Sequence, residues 1–392
     1  MIAKIIENGD QHMQSFEIIS FFTYGISKLI PKKKNRWIFG AWFGTAVSDN
    51  TKAFYDYIES EHPEIERVWV ATDPTKVNLS GCKVVKRNSL SSLKYILTAK
   101  VAVMNQGFCD FAAYNFLGGA FKLQLWHGVA WKRIGRDAIS NLKGAYEKIY
   151  QIINHYDLYI APSKLYGESL KTAFKTDEKH ILYVGQPRNE VLFQDGFRKN
   201  SKIIVEKRIG LSNKKIIVYM PTFRDKTTEI FSFHMIETDN RFVDLAYKYN
   251  FVIIEKQHYK SGQSQENTDD EKHVYAMPDL DAATLLGAAD ILITDYSSCF
   301  FDYLITNRPI IHYAYDYDYY KNKDRGLYYD IEDVAAGPIV ETNEELLAAI
   351  ENSLQADSGS DRRNTVKEKF VTYETSNNCE KIFNEVKNHI YR

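Results

Sequence analysis

The chain has 392 residues, more than one ordinary hydrophobic core takes and comfortable for two domains. Fifty Lys and Arg stand against 51 Asp and Glu, a net charge of −1, which excludes a nucleic-acid binder working through global charge. Cys82, Cys109, Cys299 and Cys379 are scattered without a C-x-x-C pair, which argues against a zinc site or disulfide framework and fits a reducing cytoplasm.

The first informative segment is FEIISFFTYGISKLI at 16–30, whose apolar residues recur at helical spacing. Glu17, Thr23, Ser27 and Lys28 interrupt it, so it falls short of the roughly 20 apolar residues a spanning helix needs. PKKKNR follows at 31–36. An apolar helix beside a basic run suits the anionic face of a membrane, and it equally suits a first helix packed on its domain; the two readings are compatible. An aromatic content of 14% fills a core or, in part, faces a membrane or polymer.

Strands are predicted over 36–42, 67–72, 82–85, 101–106, 122–128, 158–163 and 181–185, with helices over 48–63 and 89–100 opened by capping residues. The strands are apolar throughout, as in sheets covered on both faces. FQDGFRKNSK at 193–202 reads as a break. The pattern then restarts with strands over 215–222, 251–258, 273–277, 290–298 and 309–315 and helices over 241–250 and 281–289. Two β-α series of domain size predict two Rossmann-like domains, 36–200 and 201–365, after the N-terminal segment 1–35. The amphipathic end, 366–392, is expected to pack back across them.

Ligands of open α/β sheets collect beyond the carboxyl ends of the strands, so polar residues there are the candidates. LWHGVAWKRIG at 125–135 ends a strand with His127 and Gly128, followed by Lys132, Arg133 and Arg136. A histidine accepts a proton near neutral pH, which an attacking hydroxyl needs; alone at a strand end it is more often structural, and the glycine and basic cluster tip the balance. DYSSCFFDYL at 295–304 places Ser297 and Ser298 at a helix start, suited to a phosphate or to ordinary N-capping, with Asp302 one turn on. His258 in EKQH is suited to donate to a pyrophosphate oxygen. Arg224 in PTFRD and Arg188 in GQPRN, each alone better read as a surface salt bridge, become candidates for bidentate phosphate contact because the motifs recur at equivalent places. No dinucleotide fingerprint, P-loop or G-x-S-x-G is present, and no metal-ligand spacing, so no metal and no cofactor are expected.

Taken in order, WHG-x-x-x-K-x-x-G, G-x-P-R-N, P-T-F-R-D, the strand-end histidine and T-D-Y-S-S-x-x-x-D resemble the CDP-glycerol glycerophosphotransferase family of teichoic acid and capsule synthesis. SDNTKAFYDYI at 48–58 and DYDYYKNKDRGLYYD at 316–330 extend the similarity over about 42–341. The resemblance implies an α/β fold of GT-B type, with two Rossmann-like domains facing a central cleft and the donor bound mainly by the second. It implies transfer of glycerol phosphate from CDP-glycerol, or ribitol phosphate from CDP-ribitol, with release of CMP. Carried over, His127 is the base, and His258, Ser297 and Ser298 hold the donor pyrophosphate. Asp302 contacts the donor's hydroxyl-bearing part, and Arg224 balances charge.

Gly128, Trp131, Lys132 and Arg133 fall on the acceptor side, where Val129, Ala130 and Trp131 replace the family's usual Thr-Pro-Leu. The implied partners are a CDP-polyol, a lipid-linked acceptor and a membrane surface, with homo-oligomerisation open. The implied place is peripheral, on the cytoplasmic face of a bacterial membrane. A GT-B glycosyltransferase using a nucleotide sugar and an inactive polymer-binding subunit are the competing readings.

Overall fold

The computed structural model describes residues 10–138, 144–222, 231–256, 272–317 and 326–390. The chain divides into two compact units. The first comprises residues up to Val129, Arg133–Glu190 and the stretch from Tyr373 onward; the second comprises Ala130–Lys132 and Val191–Thr372.

The first unit is built on a seven-stranded sheet: β1 Lys33–Phe39, β2 Glu66–Ala71, β3 Lys83–Lys86, β4 Ala99–Met104, β5 Phe121–Gln124, β6 Leu158–Ala161 and β7 Ile181–Tyr183. All seven predicted strands are present. The order is β3-β2-β1-β4-β5-β6-β7 and every pairing is parallel. From β1 the chain winds outward to β3, then returns to β4 and winds the other way, so the switch point lies between β1 and β4. Helices Asp49–Glu61 and Leu90–Thr98 make crossovers, the second started by a capping box of Ser89 and Ser92. The core gathers Trp37, Phe39, Phe54, Tyr55, Ile58 and Trp69.

The C-terminal helix Asn378–Ile390 is part of this core through Cys379, Ile382, Phe383 and Val386. Phe383 lies 5.9 Å from the Trp37 ring and 3.6 Å from His62. The expected boundary at 366 therefore moves to Tyr373, because helix Ser360–Phe370 stays in the second unit.

The second unit holds a six-stranded parallel sheet of β8 Lys215–Met220, β9 Phe251–Glu255, β10 Val274–Ala276, β11 Ile291–Thr294, β12 Ile310–Tyr313 and β13 Ile339–Val340. Its order, β10-β9-β8-β11-β12-β13, puts the switch point between β8 and β11. β13 was not predicted; two residues carry no readable periodicity. The expected break at 193–202 is also corrected. Helix Phe197–Ile209 begins there, framed by left-handed glycines Gly196 (φ +79°) and Gly210 (φ +71°). It buries only Ser201 and Val205, so its sequence shows no apolar stripe.

The N-terminal helix Asp10–Ser27 is turned contrary to the usual arrangement. Glu17, Ser20 and Ser27 face inward, with the Glu17 carboxyl pushed up to about 6 by burial. Phe22 and Ile26 are 62% and 63% exposed, and Leu29 just beyond the helix is 83% exposed. Thr23 Oγ1 donates to the Asn115 carbonyl at 2.8 Å, and Gly118 N donates to Ser27 Oγ at 2.8 Å, so polar bonds pin the helix. The basic run after it is largely spent on the protein. Lys32 Nζ donates to the carbonyls of Ser27 (3.0 Å) and Leu97 (2.7 Å), while Lys33 and Arg36 pair with Glu66. No helix among the described residues is long and apolar enough to cross a membrane.

Candidate active site

In the first unit the polar residues gather where the topology says they should, in the turns after β1, β4 and β5. The organising group is Asp110, a fully buried carboxylate. Its Oδ1 accepts from Phe43 N at 2.7 Å, in the turn after β1. Its Oδ2 accepts from Asn105 N at 3.0 Å and Gln106 N at 2.9 Å, in the turn after β4. Burial pushes the Asp110 carboxyl up to about 6, against the pull of these N–H groups.

His127 stands two residues past a β5 extension and is half-buried, between Trp42 (ring centroids 5.1 Å apart) and Trp126 (4.8 Å). Its Nδ1 is 3.3 Å from the Asn105 carbonyl oxygen. A carbonyl only accepts, so this contact puts the proton on Nδ1 and the lone pair on Nε2. Gln106 Nε2 lies 3.2 Å from the same Nδ1; with the amide turned over, its oxygen shares that proton.

The backbone carrying His127 is held from several sides. Asn50 Nδ2 lies 3.1 Å from both the Leu125 and Trp126 carbonyl oxygens, and 3.0 Å from Gln186 Oε1. Arg188 Nη1 donates to the His127 carbonyl at 3.0 Å and to Asp49 Oδ1 at 2.7 Å. The turn bearing Arg188 is fixed in turn by Glu374, whose Oε1 accepts from Gln186 N (3.1 Å) and Asn189 Nδ2 (2.8 Å). Trp42, Phe43, Asp49 and Trp126 all have positive φ, at +51°, +59°, +67° and +53°. Large side chains rarely adopt that conformation, and it marks this end of the sheet as strained. Gly128, at φ +137°, lets the chain leave the histidine where a side chain would not.

The second unit repeats the device. Asp295 follows β11 and is fully buried. Its Oδ1 accepts from Thr222 N and Thr222 Oγ1, both at 2.7 Å and both after β8, and from Ser297 N at 3.2 Å. The turn it shapes presents Ser297 and Ser298, each half-buried. Ser298 opens the short helix Cys299–Tyr303 without a side-chain capping bond, so N-capping does not explain it. Asp302 is buried in the first turn of that helix.

Several predicted residues sit differently from their assigned roles. Arg188 belongs to the first unit and is committed to Asp49 and the His127 carbonyl, which makes it part of the histidine's frame. Trp131, expected on the acceptor side, is 2% exposed inside the second unit. Lys132 pairs there as an antiparallel bridge with Leu327, and Arg133 is exposed in the first unit. Arg224 and His258 lie outside the described residues. Asp49, Asn50, Asn105, Gln106, Asp110, Asp295 and Glu374 were not singled out. Ser48 and Asp49 read as a helix cap, yet Ser48 makes no capping bond and Asp49 holds Arg188.

Two doubly wound parallel sheets, each with a buried aspartate shaping a polar turn at its switch point, define an α/β fold of GT-B type. The model of the CDP-glycerol:poly(glycerophosphate) glycerophosphotransferase family matches residues 22–388, and the chain belongs to that family. It is 29% identical over 343 residues to the teichoic acid poly(glycerol phosphate) polymerase of Bacillus spizizenii, covering 83% of this chain and 86% of that protein. It is 31% identical over 353 residues to the teichoic acid glycerol-phosphate transferase of Staphylococcus aureus, covering 85% and 88%. Other curated relatives are longer, and the chain spans 49% and 43% of two of them. A solved structure of the wall teichoic acid polymerase TagF superposes with a TM-score of 0.79 at 24% identity, covering 97% of this chain and 96% of that one.

Replacing Asn50 removes bonds to two carbonyls beside His127. Asn50→Ala is expected to lower kcat for CMP release by about 10- to 100-fold with donor KM within about threefold, because a small misplacement of a reacting group costs that much. Steady-state kinetics with CDP-glycerol check this; an unchanged kcat contradicts the positioning role.

Proposed function

We propose that the protein transfers glycerol phosphate from CDP-glycerol to a hydroxyl of a lipid-linked acceptor in the synthesis of teichoic acid or a related cell-wall or capsule polymer, releasing CMP. The observation that carries the reading is the setting of His127. Nδ1 is turned to a backbone carbonyl, which leaves Nε2 basic on a turn that strained backbone and buried polar bonds hold in place. In the step, His127 takes the proton of the acceptor hydroxyl as its oxygen bonds to the phosphorus that carries glycerol. The bond from that phosphorus to the bridging oxygen breaks, and CMP leaves with the electron pair. The Ser297 and Ser298 hydroxyls, on the turn set by Asp295, bind the phosphates and offset the charge gathering on the leaving group. Arg224 and His258 add charge and hydrogen bonds to the same phosphates, and Asp302 meets the donor's hydroxyl-bearing portion. The glycerol donor is preferred to ribitol because the matched family is described by CDP-glycerol.

His127→Ala is expected to lower kcat for acceptor-dependent CMP release by at least about 100-fold, within the usual contribution of a general base, while CDP-glycerol still binds. Near-normal CMP release from the variant contradicts the assignment. Running the assay with CDP-ribitol and a nucleotide sugar beside CDP-glycerol tests donor class.

The same reading places the protein peripherally on the cytoplasmic membrane face, where a lipid-linked acceptor is found. Its support is the reversed N-terminal helix: Phe22, Ile26 and Leu29 point to solvent while polar groups face the protein. Three of the nearby basic residues, Lys32, Lys33 and Arg36, are already paired, so apolar insertion outweighs charge attraction. Phe22→Ser with Ile26→Ser is expected to weaken binding to lipid vesicles at least about tenfold, since burying each such side chain contributes roughly 1.5–3 kcal/mol. Raising salt should change wild-type binding only slightly. Vesicle sedimentation decides: binding lost in salt but kept by the double variant contradicts this arrangement.

A further inference from the structure

Trp131 occupies an unexpected place. It lies four residues after His127, yet Ala130–Lys132 is built into the second unit. There its indole is 2% exposed, 6.1 Å from the Tyr296 ring and 6.1 Å from the Phe300 ring, the latter edge-on at 88°. These two residues flank Ser297 and Ser298 on either side, and both are themselves buried. The far edge of the indole is fixed as well: Nε1 donates to the Tyr329 carbonyl at 2.7 Å. Its backbone carbonyl accepts from Tyr328 N at 2.9 Å, and Lys132 bridges to Leu327. The ring is therefore wedged between segment 327–329 and the two ends of the serine turn.

We propose that Trp131 is a positioning residue for donor binding: it sets the serine turn through Tyr296 and Phe300 and so determines how tightly the donor's phosphates are held. This rests on the reading of Ser297 and Ser298 as donor ligands. A hydrogen-bonded wedge of this size cannot be shortened without room opening beneath the turn. Tilted and edge-on ring contacts of this kind stabilise beyond burial alone. Loss of the wedge loosens the serine hydroxyls before any bond to phosphate is made, and the donor must then order them. The penalty falls on donor affinity and much less on the chemical step, because the base lies on separate supports.

The test is donor kinetics at saturating acceptor. Trp131→Leu is expected to raise the CDP-glycerol KM at least about tenfold while kcat stays within about threefold. Trp131→Phe, which keeps a ring but loses the bond to Tyr329, is expected to recover most of that loss. Tyr296→Leu is expected to raise KM similarly, and combining it with Trp131→Leu to add less than the product of the two effects. A wild-type KM in Trp131→Leu overturns the proposal, as does an equal fall in kcat. If Trp131→Leu fails to fold, the Trp131→Phe and Tyr296→Leu values decide, and a wild-type KM in both overturns it. The Ser297→Ala, Ser298→Ala double variant separates the two claims. If it raises KM and the Trp131 variants do not, this inference fails alone; if it leaves KM unchanged, the donor assignment fails first.

Discussion

A buried carboxylate at the switch point of each sheet is the constraint on which the rest depends. Where two parallel strands diverge, the turns that follow them carry backbone N–H groups that no neighbouring strand can accept. Asp110 collects the N–H groups of Phe43, Asn105 and Gln106 from the turns after β1 and β4, and Asp295 collects those of Thr222, Tyr296 and Ser297, with the Thr222 hydroxyl, from the turns after β8 and β11. A carboxylate suits this task because it only accepts and both oxygens present several lone pairs. Burial raises the cost of its charge, as the upward push on Asp110 records, and the N–H groups offset that cost only while the turns keep their shape. The arrangement thus converts a desolvation penalty into fixed geometry.

What is fixed differs between the units. In the first, the turn after β4 offers a carbonyl and an amide to His127, so the shape imposed by Asp110 selects the tautomer that a base requires. Arg188, a residue whose type suggests anion binding, is drawn into this frame by Asp49 and spends a donor on the histidine's own carbonyl. In the second, the turn presents two serines and no base, and a tryptophan from the segment after His127 supports it. The candidate base and the candidate phosphate-binding serines thus stand on turns braced by different carboxylates, Asp110 and Asp295.

The strands and the strand-end histidine and serines were legible because burial on both faces of a parallel sheet leaves uninterrupted apolar runs, and the first polar residue after each run marks the ligand side. The bracing residues were not legible. Asn50 and Asp49 sit where capping residues belong, and Asp110 lies in an irregular turn without periodicity. Gln186 and Arg188, which bond to Asn50 and Asp49, are more than 130 residues from them, so no local pattern pairs these residues. Trp131 was assigned by its neighbourhood in sequence, whereas the fold carries it into the other unit within three residues. The N-terminal helix gave its period correctly and hid its orientation, since a helical stripe of apolar residues reads the same facing in or out.

On the proposed reading, Asp110 shapes the turn that makes His127 a base. Asp110→Asn keeps the side chain's size but sets an amide nitrogen against either the Phe43 N–H or the pair from Asn105 and Gln106. Measuring kcat and the CDP-glycerol dissociation constant of this variant separates an effect on the base from one on donor binding. A kcat reduced at least about tenfold is expected, with donor affinity within about threefold of wild type. A variant that keeps its turnover, or that loses donor affinity in parallel, would contradict this reading.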